Sequence, residues 1–60
     1  MYTAAFLRAI GWGWVVLLIL KDGEPVHEVL VMEGSEDRFL ELLNRAADKD
    51  AAWLLNRHRS

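Results

Sequence analysis

Cysteine is absent from this 60-residue sequence, and proline occurs only once. Disulfide bonds and thiolate zinc sites, which commonly stabilise domains of this size, are therefore excluded. The chain is nevertheless 53% hydrophobic, and a core built from so few residues is marginally stable by itself. We therefore expect one small domain over residues 1–60 that buries part of its apolar surface against a second copy or a larger protein.

Acidic residues are absent from the first 21 positions, where Arg8 and Lys21 are the only charged side chains. All nine acids lie between Asp22 and Asp50, and against four basic residues they give positions 21–50 a charge of −5. The whole chain has a net charge of −2 and a pI near 5.5. Since a nucleic-acid backbone attracts basic surfaces, we expect no nucleic-acid partner.

The apolar run from Ala9 to Leu20 permits two interpretations. As a helix it would rise about 18 Å, too little for a hydrocarbon core of about 30 Å. Extension back to Met1 would place the charge of Arg8 in the bilayer. As a strand, Val15–Leu20 has the β-branched and aliphatic residues that strands favour. We therefore expect a strand and no membrane partner, with a single-span membrane peptide of residues 1–20 as an alternative.

Asp22-Gly23 is a strong signal for a two-residue hairpin turn between Val15–Leu20 and Val26–Met32. With these two residues in the turn, Leu20 pairs with Pro25 and the next pair is Ile19 with Val26. Proline lacks an N–H, which predicts that the outer edge of the second strand is free at this point.

This register predicts a hairpin that is apolar on both faces. One face would contain Val15, Leu17, Ile19, Val26, Leu30 and Met32. The other would contain Trp14, Val16, Leu18, Leu20, Val29 and Val31. Since one layer of helices covers one face only, the second face is expected to remain open.

Outside this hairpin, Tyr2–Ile10 is expected to be a further strand, although its alanines also suit a short helix. Ser35 is a suitable N-cap for a helix. Either Asp48 or Asp50 caps a second short helix, or one helix continues toward Arg57. The predicted fold class is α+β: a small antiparallel β-meander or hairpin of two to three strands, followed by one or two α-helices packed on one sheet face.

Candidates for catalysis or ligand binding are few. No Gly-x-Ser-x-Gly motif surrounds Ser35. His27 and His58 lack the spacing of a metal-binding pair, and Gly11-x-Gly13 lacks the third glycine of a dinucleotide-binding loop. We therefore expect no enzyme, no cofactor and no metal.

The expected function is non-enzymatic protein–protein interaction, either as a homo-oligomer or by docking on a larger protein. The second apolar face and the outer edge of Val26–Met32 would form the contact, because edge pairing extends a sheet across a two-fold axis. The expected protein-binding residues are Trp12, Trp14, Val16, Leu18, Val29 and Val31.

Small acidic single-domain proteins encoded by phages, including anti-CRISPR proteins, share this size and format. The likeness is one of scale, since no motif carries it, and it makes an inhibitor or adaptor of a host machine the alternative function. The opening residues Met1–Ala5 lack a basic segment, so we expect no secretory signal and a cytoplasmic location.

Overall fold

The computed structural model describes residues 1–60 as an antiparallel sheet followed by two helices. The strands, in the spatial order β1-β2-β3, are β1 (Tyr2–Gly11), β2 (Trp14–Lys21) and β3 (Glu24–Met32). The helices are α1 (Glu36–Arg45) and α2 (Asp48–Arg57). The predicted α+β class is confirmed, with three strands and two helices.

Both hairpins turn on two residues with positive φ. Trp12 (φ 57°) and Gly13 (79°) join β1 to β2, whereas Asp22 (51°) and Gly23 (86°) join β2 to β3. Two successive positive φ values characterise type I′ turns, whose twist matches that of the flanking strands. The hairpin predicted at Asp22-Gly23 is therefore confirmed, and the N-terminal segment is a strand rather than a helix.

The helical segment is broken, which is one of the two predicted alternatives. Ala46 and Ala47 have extended backbone between α1 and the start of α2 at Asp48. Ser35 occupies the N-cap position of α1 as predicted, although its side chain makes no cap hydrogen bond. The predicted cap of α2 is wrong, because Ala47 rather than Asp48 or Asp50 occupies that position. Each helix has ten residues, and neither has the length and apolarity that a membrane span requires.

The core lies between one face of the sheet and both helices. Alternate residues of β2 enter it, as the two-residue period of a strand requires. The cluster consists of Val15, Leu17, Ile19, Val29, Val31, Phe39, Leu43, Ala51 and Leu55. No helix covers the opposite face of the sheet, as predicted for a single helical layer.

A bulge at Val26 changes the predicted pairing of β2 with β3. Leu20 pairs with Pro25 as predicted, but Ile19 pairs with His27, so Val26 is an extra residue on β3. Because side chains alternate between faces, one extra residue moves every later residue of β3 to the opposite face. The predicted register beyond the turn is therefore wrong, and the face assignment of the rest of β3 is inverted.

The chain returns to the sheet after α2, and its last three residues, here called the tail, lie along the outer edge of β3. The Leu30 N–H donates to the His58 carbonyl at 2.7 Å, and the Ser60 N–H donates to the Glu28 carbonyl at 3.2 Å. The predicted free edge of β3 is therefore wrong over this stretch, because the tail occupies it.

Candidate interaction surface

The sheet face opposite the helices, which we call the open face, is apolar along its centre. Val16, Leu18 and Leu20 of β2 alternate with core residues and point to this face. Leu30 of β3 pairs with Val16 and lies on the same face. Val16 is only 2% exposed although no helix covers it, whereas the three leucines are half-buried. Side chains of the sheet itself therefore surround Val16 and leave the leucines open to a partner.

One ion pair crosses the open face. Arg8 of β1 pairs with Val16, and Glu28 of β3 pairs with Leu18, so the two charged side chains lie on either side of β2. The Arg8 Nη2 atom is 3.7 Å from the Glu28 Oε1 atom, and both side chains are about half exposed. This pair bridges the central strand beside Val16 and Leu18.

The structure places two of the six predicted binding residues directly on the open face and two at the end of the sheet. Val16 and Leu18 lie at the centre of the open face. Trp14 is 39% exposed at the end of the same strand, and Trp12 is 99% exposed in the turn before it. These four residues form the part of the predicted contact that solvent or a partner can reach.

The other two predicted binding residues are buried under the helices. Val29 is 0% exposed and Val31 is 3% exposed, and both belong to the core. Their placement at the centre of a contact is therefore wrong, and the bulge at Val26 is the reason. Leu30, which the bulge brings to the open face, was missed by the sequence analysis. Pro25 was the available signal, since proline within a sheet occurs at edges and at bulges.

The outer edge of β1 has its own structural protection. The Tyr2 N–H donates to Asn44 Oδ1 at 2.7 Å, and Asn44 Nδ2 donates to the Tyr2 carbonyl at 2.9 Å, so a side chain of α1 pairs with the start of this edge. Two register shifts follow Phe6 along β1. Because bulges make an edge a poor template for further strands, the open face is a better candidate contact than either sheet edge.

The turn between β1 and β2 holds an indole in solvent. Trp12 is 99% exposed and has a φ of 57°, a backbone region that costs roughly 1–2 kcal/mol for most L-residues. Asparagine and aspartate are the usual residues at this position of a type I′ turn. Ile10 is also 52% exposed. We call Ile10, Trp12 and Trp14 the apolar tip.

A cleft of about 180 Å³ lies beside this tip, between the helices and the end of the sheet where Trp14 pairs with Met32. Two of its rings contact each other, with His58 packed edge to face on Phe39 at 4.8 Å between centroids. The other residues that line the cleft are Val31, Ser35, Arg38, Leu42 and Leu54. The cleft can accept an apolar side chain.

A second, larger hollow of about 380 Å³ lies beside the tail. It is lined by Val26, His27, Glu28, Arg59 and Ser60. This hollow is a broad depression with polar walls, and it lies at the edge of β3 rather than over the apolar floor of the open face. It brings no nucleophile into hydrogen-bond contact with a base, and we assign it no chemistry.

Ionisable groups are not gathered into a site. No group of three histidine or acidic side chains is placed to hold a metal ion, and the buried residues are all hydrophobic. The N-terminal ammonium of Met1 donates to Asp22 Oδ1 at 2.5 Å and lowers the pKa of this carboxyl below its ordinary value of 3.8. This pair joins the start of β1 to the β2–β3 turn, at the opposite end of the sheet from Trp12.

The open face, the apolar tip and the cleft are three apolar surfaces that the fold leaves uncovered. No protein-family model matches the chain, and comparisons with curated proteins and with solved structures likewise found no match. The function is therefore argued from these surfaces.

Proposed function

We propose that this protein is a non-enzymatic protein-interaction module that self-associates through its open face. The observation that carries the proposal is the apolar floor of Leu18, Leu20 and Leu30 around Val16, on a sheet face that no helix covers. Apolar surface of this kind favours association because water is released when it is buried. A core of only ten buried residues gains stability from such a partner.

The charges of the open face favour a second copy as the partner. Arg8 and Glu28 are the only charged residues among the strand positions on this face. Under a two-fold axis that lies in the interface and runs parallel to the strands, each arginine approaches the glutamate of the other copy, so the surface is complementary to itself. A partner of one charge sign would leave one of these two side chains unpaired.

The size of the face predicts the strength of the contact. Three strands at a spacing of about 4.8 Å, along a molecule 31 Å in its longest dimension, present a face of roughly 400 Å². Stable interfaces bury about 800 Å² on each partner. We therefore expect a weak, transient contact, with a dissociation constant in the micromolar range or weaker.

Sedimentation velocity over a concentration series tests the proposal. Leu18→Lys places an ammonium at the centre of the open face without touching the core, so it should leave a folded chain whose association is at least about tenfold weaker. Ala52→Lys, on the exposed side of α2, adds the same charge far from the face and should associate like the native chain. Equal association of the two variants would refute the proposal.

Docking on a larger protein, including inhibition of a host machine, remains the alternative prediction. It would use the same open face, so Leu18→Lys would also abolish it. The two functions differ in the behaviour of the purified chain, because a docking module without self-association stays monomeric across the whole concentration series. A monomeric native chain would therefore favour docking over self-association.

A further inference from the structure

Trp12 is not explained by the folding of a single copy. Its side chain is 99% exposed, and its backbone adopts a positive φ that asparagine tolerates better. Neither burial nor turn geometry therefore favours tryptophan at this position. Residues that break such local preferences are concentrated where a contact or activity requires them. An indole held in solvent at the end of a rigid hairpin is a suitable anchor for an interface.

The cleft beside the tip has the size and lining to receive one aromatic side chain. Its volume of about 180 Å³ is comparable with the apolar cavity of roughly 150 Å³ that is known to admit benzene. Phe39 and His58 provide ring edges and faces, and Met32 provides a flexible thioether against which aromatic rings pack well. Arg38 lies at the cleft without an ion-pair partner, where a guanidinium can stack on a ring.

The charges of the cleft do not oppose the tip. The segment 33–42 supplies four of the nine residues that line the cleft, and Arg38 is the one lysine, arginine or carboxylate side chain among the nine. The tip segment 9–14 contains no charged residue. An uncharged indole of a second copy can therefore stack beside the guanidinium without bringing a like charge to it.

We propose that Trp12 of one copy inserts into this cleft of a second copy, and that the exchange is reciprocal. Both surfaces lie at the same end of the sheet, since the Glu33 N–H donates to the Gly13 carbonyl at 2.8 Å and Trp14 pairs with Met32. A two-fold axis at this end brings each tip to the other cleft and closes the contact. Trp12 lies in the turn, and the helices with their caps supply most of the cleft, so this contact goes beyond the proposed function and does not depend on it.

The fluorescence of Trp12 reports the contact directly. Trp14→Phe with Trp53→Phe leaves Trp12 as the single tryptophan of the chain. Trp14 lines the cleft, and phenylalanine keeps an aromatic ring in that wall. Its emission should shift to shorter wavelength as the concentration rises from about 1 µM to about 1 mM, the range of a weak interface. Emission that stays at the wavelength of a fully hydrated indole throughout would overturn the proposal.

A variant of the cleft tests where the indole goes. Leu42 lines the cleft and is 46% exposed, so Leu42→Arg in the single-tryptophan chain fills the cleft entrance without disturbing the core. The midpoint of the shift should move to at least about tenfold higher concentration. An unchanged midpoint would show that Trp12 is buried elsewhere and would refute the cleft as its site. Light scattering on the same samples shows whether non-specific aggregation, rather than a defined contact, causes the emission shift.

The two proposals fail separately. Leu18→Lys in the single-tryptophan chain should leave the Trp12 shift intact, because residue 18 lies on the open face. If this substitution alone abolishes the shift, Trp12 belongs to the open-face contact and the cleft proposal is wrong. If Leu42→Arg abolishes the shift while Leu18→Lys leaves the oligomeric state unchanged, the cleft contact stands and the open-face proposal is wrong.

Discussion

Arg8 and Glu28 face each other across the central strand of the sheet, with 3.7 Å between the Arg8 Nη2 and Glu28 Oε1 atoms. They belong to the two outer strands, and the apolar side chains of β2 lie between them. An ion pair this exposed contributes about 0–1 kcal/mol to folding. Its larger effect is expected in association, where it sets the charge pattern of the open face.

A charge reversal tests this role of the pair. Arg8→Glu places two carboxylates across β2 and should weaken self-association by about tenfold, while the free energy of unfolding changes by less than about 1 kcal/mol. The double variant Arg8→Glu, Glu28→Arg restores the pair and should restore association. Sedimentation equilibrium measures both. A double variant that associates as weakly as the single one would place the pair outside the interface.

The adjacent residues Val29 and Leu30 test the bulge at Val26. Val29 is fully buried in the core, so Val29→Lys buries an unpaired charge at a cost of several kcal/mol. A domain this small has only about 3–5 kcal/mol of stability, and the variant should be unfolded by circular dichroism. Leu30→Lys lies on the open face and should remain folded but associate less. A folded Val29→Lys variant together with an unfolded Leu30→Lys variant would instead support the register without the bulge.

The sequence predicts the elements of this fold better than their register. Asp22-Gly23 marks one turn unambiguously, because few sequences suit two successive positive φ values. Val15–Leu20 is apolar at every position, so no alternation of polar and apolar residues indicates which face is covered. The bulge at Val26 therefore decides the faces of β3, and Pro25 is its one local signal, which suits an edge as well as a bulge.

The candidate surfaces likewise differ in how far the sequence predicts them. The open face follows from composition, since one helical layer cannot cover both faces of an apolar hairpin. The cleft joins the sheet end to residues of both helices and to His58, and no local pattern links segments so distant in sequence. The tail on β3 has no sequence signal either, because its backbone supplies two of the hydrogen bonds to β3 and the His58 ring supplies one.

Stability at low pH should depend on Asp22. Its pKa is lowered in the folded chain, first by the hydrogen bond from the N-terminal ammonium and then by the charge of that group. The stabilisation is therefore present above the ordinary value of 3.8 and is lost as the pH falls through the lowered folded value. Asp22→Asn keeps a good type I′ turn residue and should flatten this part of the profile in urea titrations. Acetylation of the N-terminus removes the ammonium and should flatten the pH profile of stability in the same way. If neither change alters the profile, the pair of Asp22 with the N-terminal ammonium does not contribute to stability.

Removal of the tail should expose the edge of β3. A chain ending at Arg57 loses the two backbone hydrogen bonds that join the tail to β3, worth about 1–3 kcal/mol together, and leaves the Leu30 N–H unpaired. Amide exchange at Leu30 should accelerate, and light scattering should show concentration-dependent aggregation through the free edge. Arg59→Ala with Ser60→Ala keeps the tail backbone and should behave like the native chain. If this control also aggregates, the side chains of Arg59 and Ser60, rather than the tail backbone, protect the edge.

Replacement of Trp12 should separate what the turn prefers from what the contact requires. Trp12→Asn introduces the usual first residue of a type I′ turn and should raise the free energy of unfolding by about 1 kcal/mol. Trp12→Ala also removes the indole but lacks this turn preference, so it should not stabilise the chain. Both variants should lose the reciprocal cleft contact, and their association should therefore be equally weakened. A stabilised Asn variant that associates normally would mean that the exposed indole has no part in assembly, whereas a destabilised one would mean that the indole already packs within its own chain.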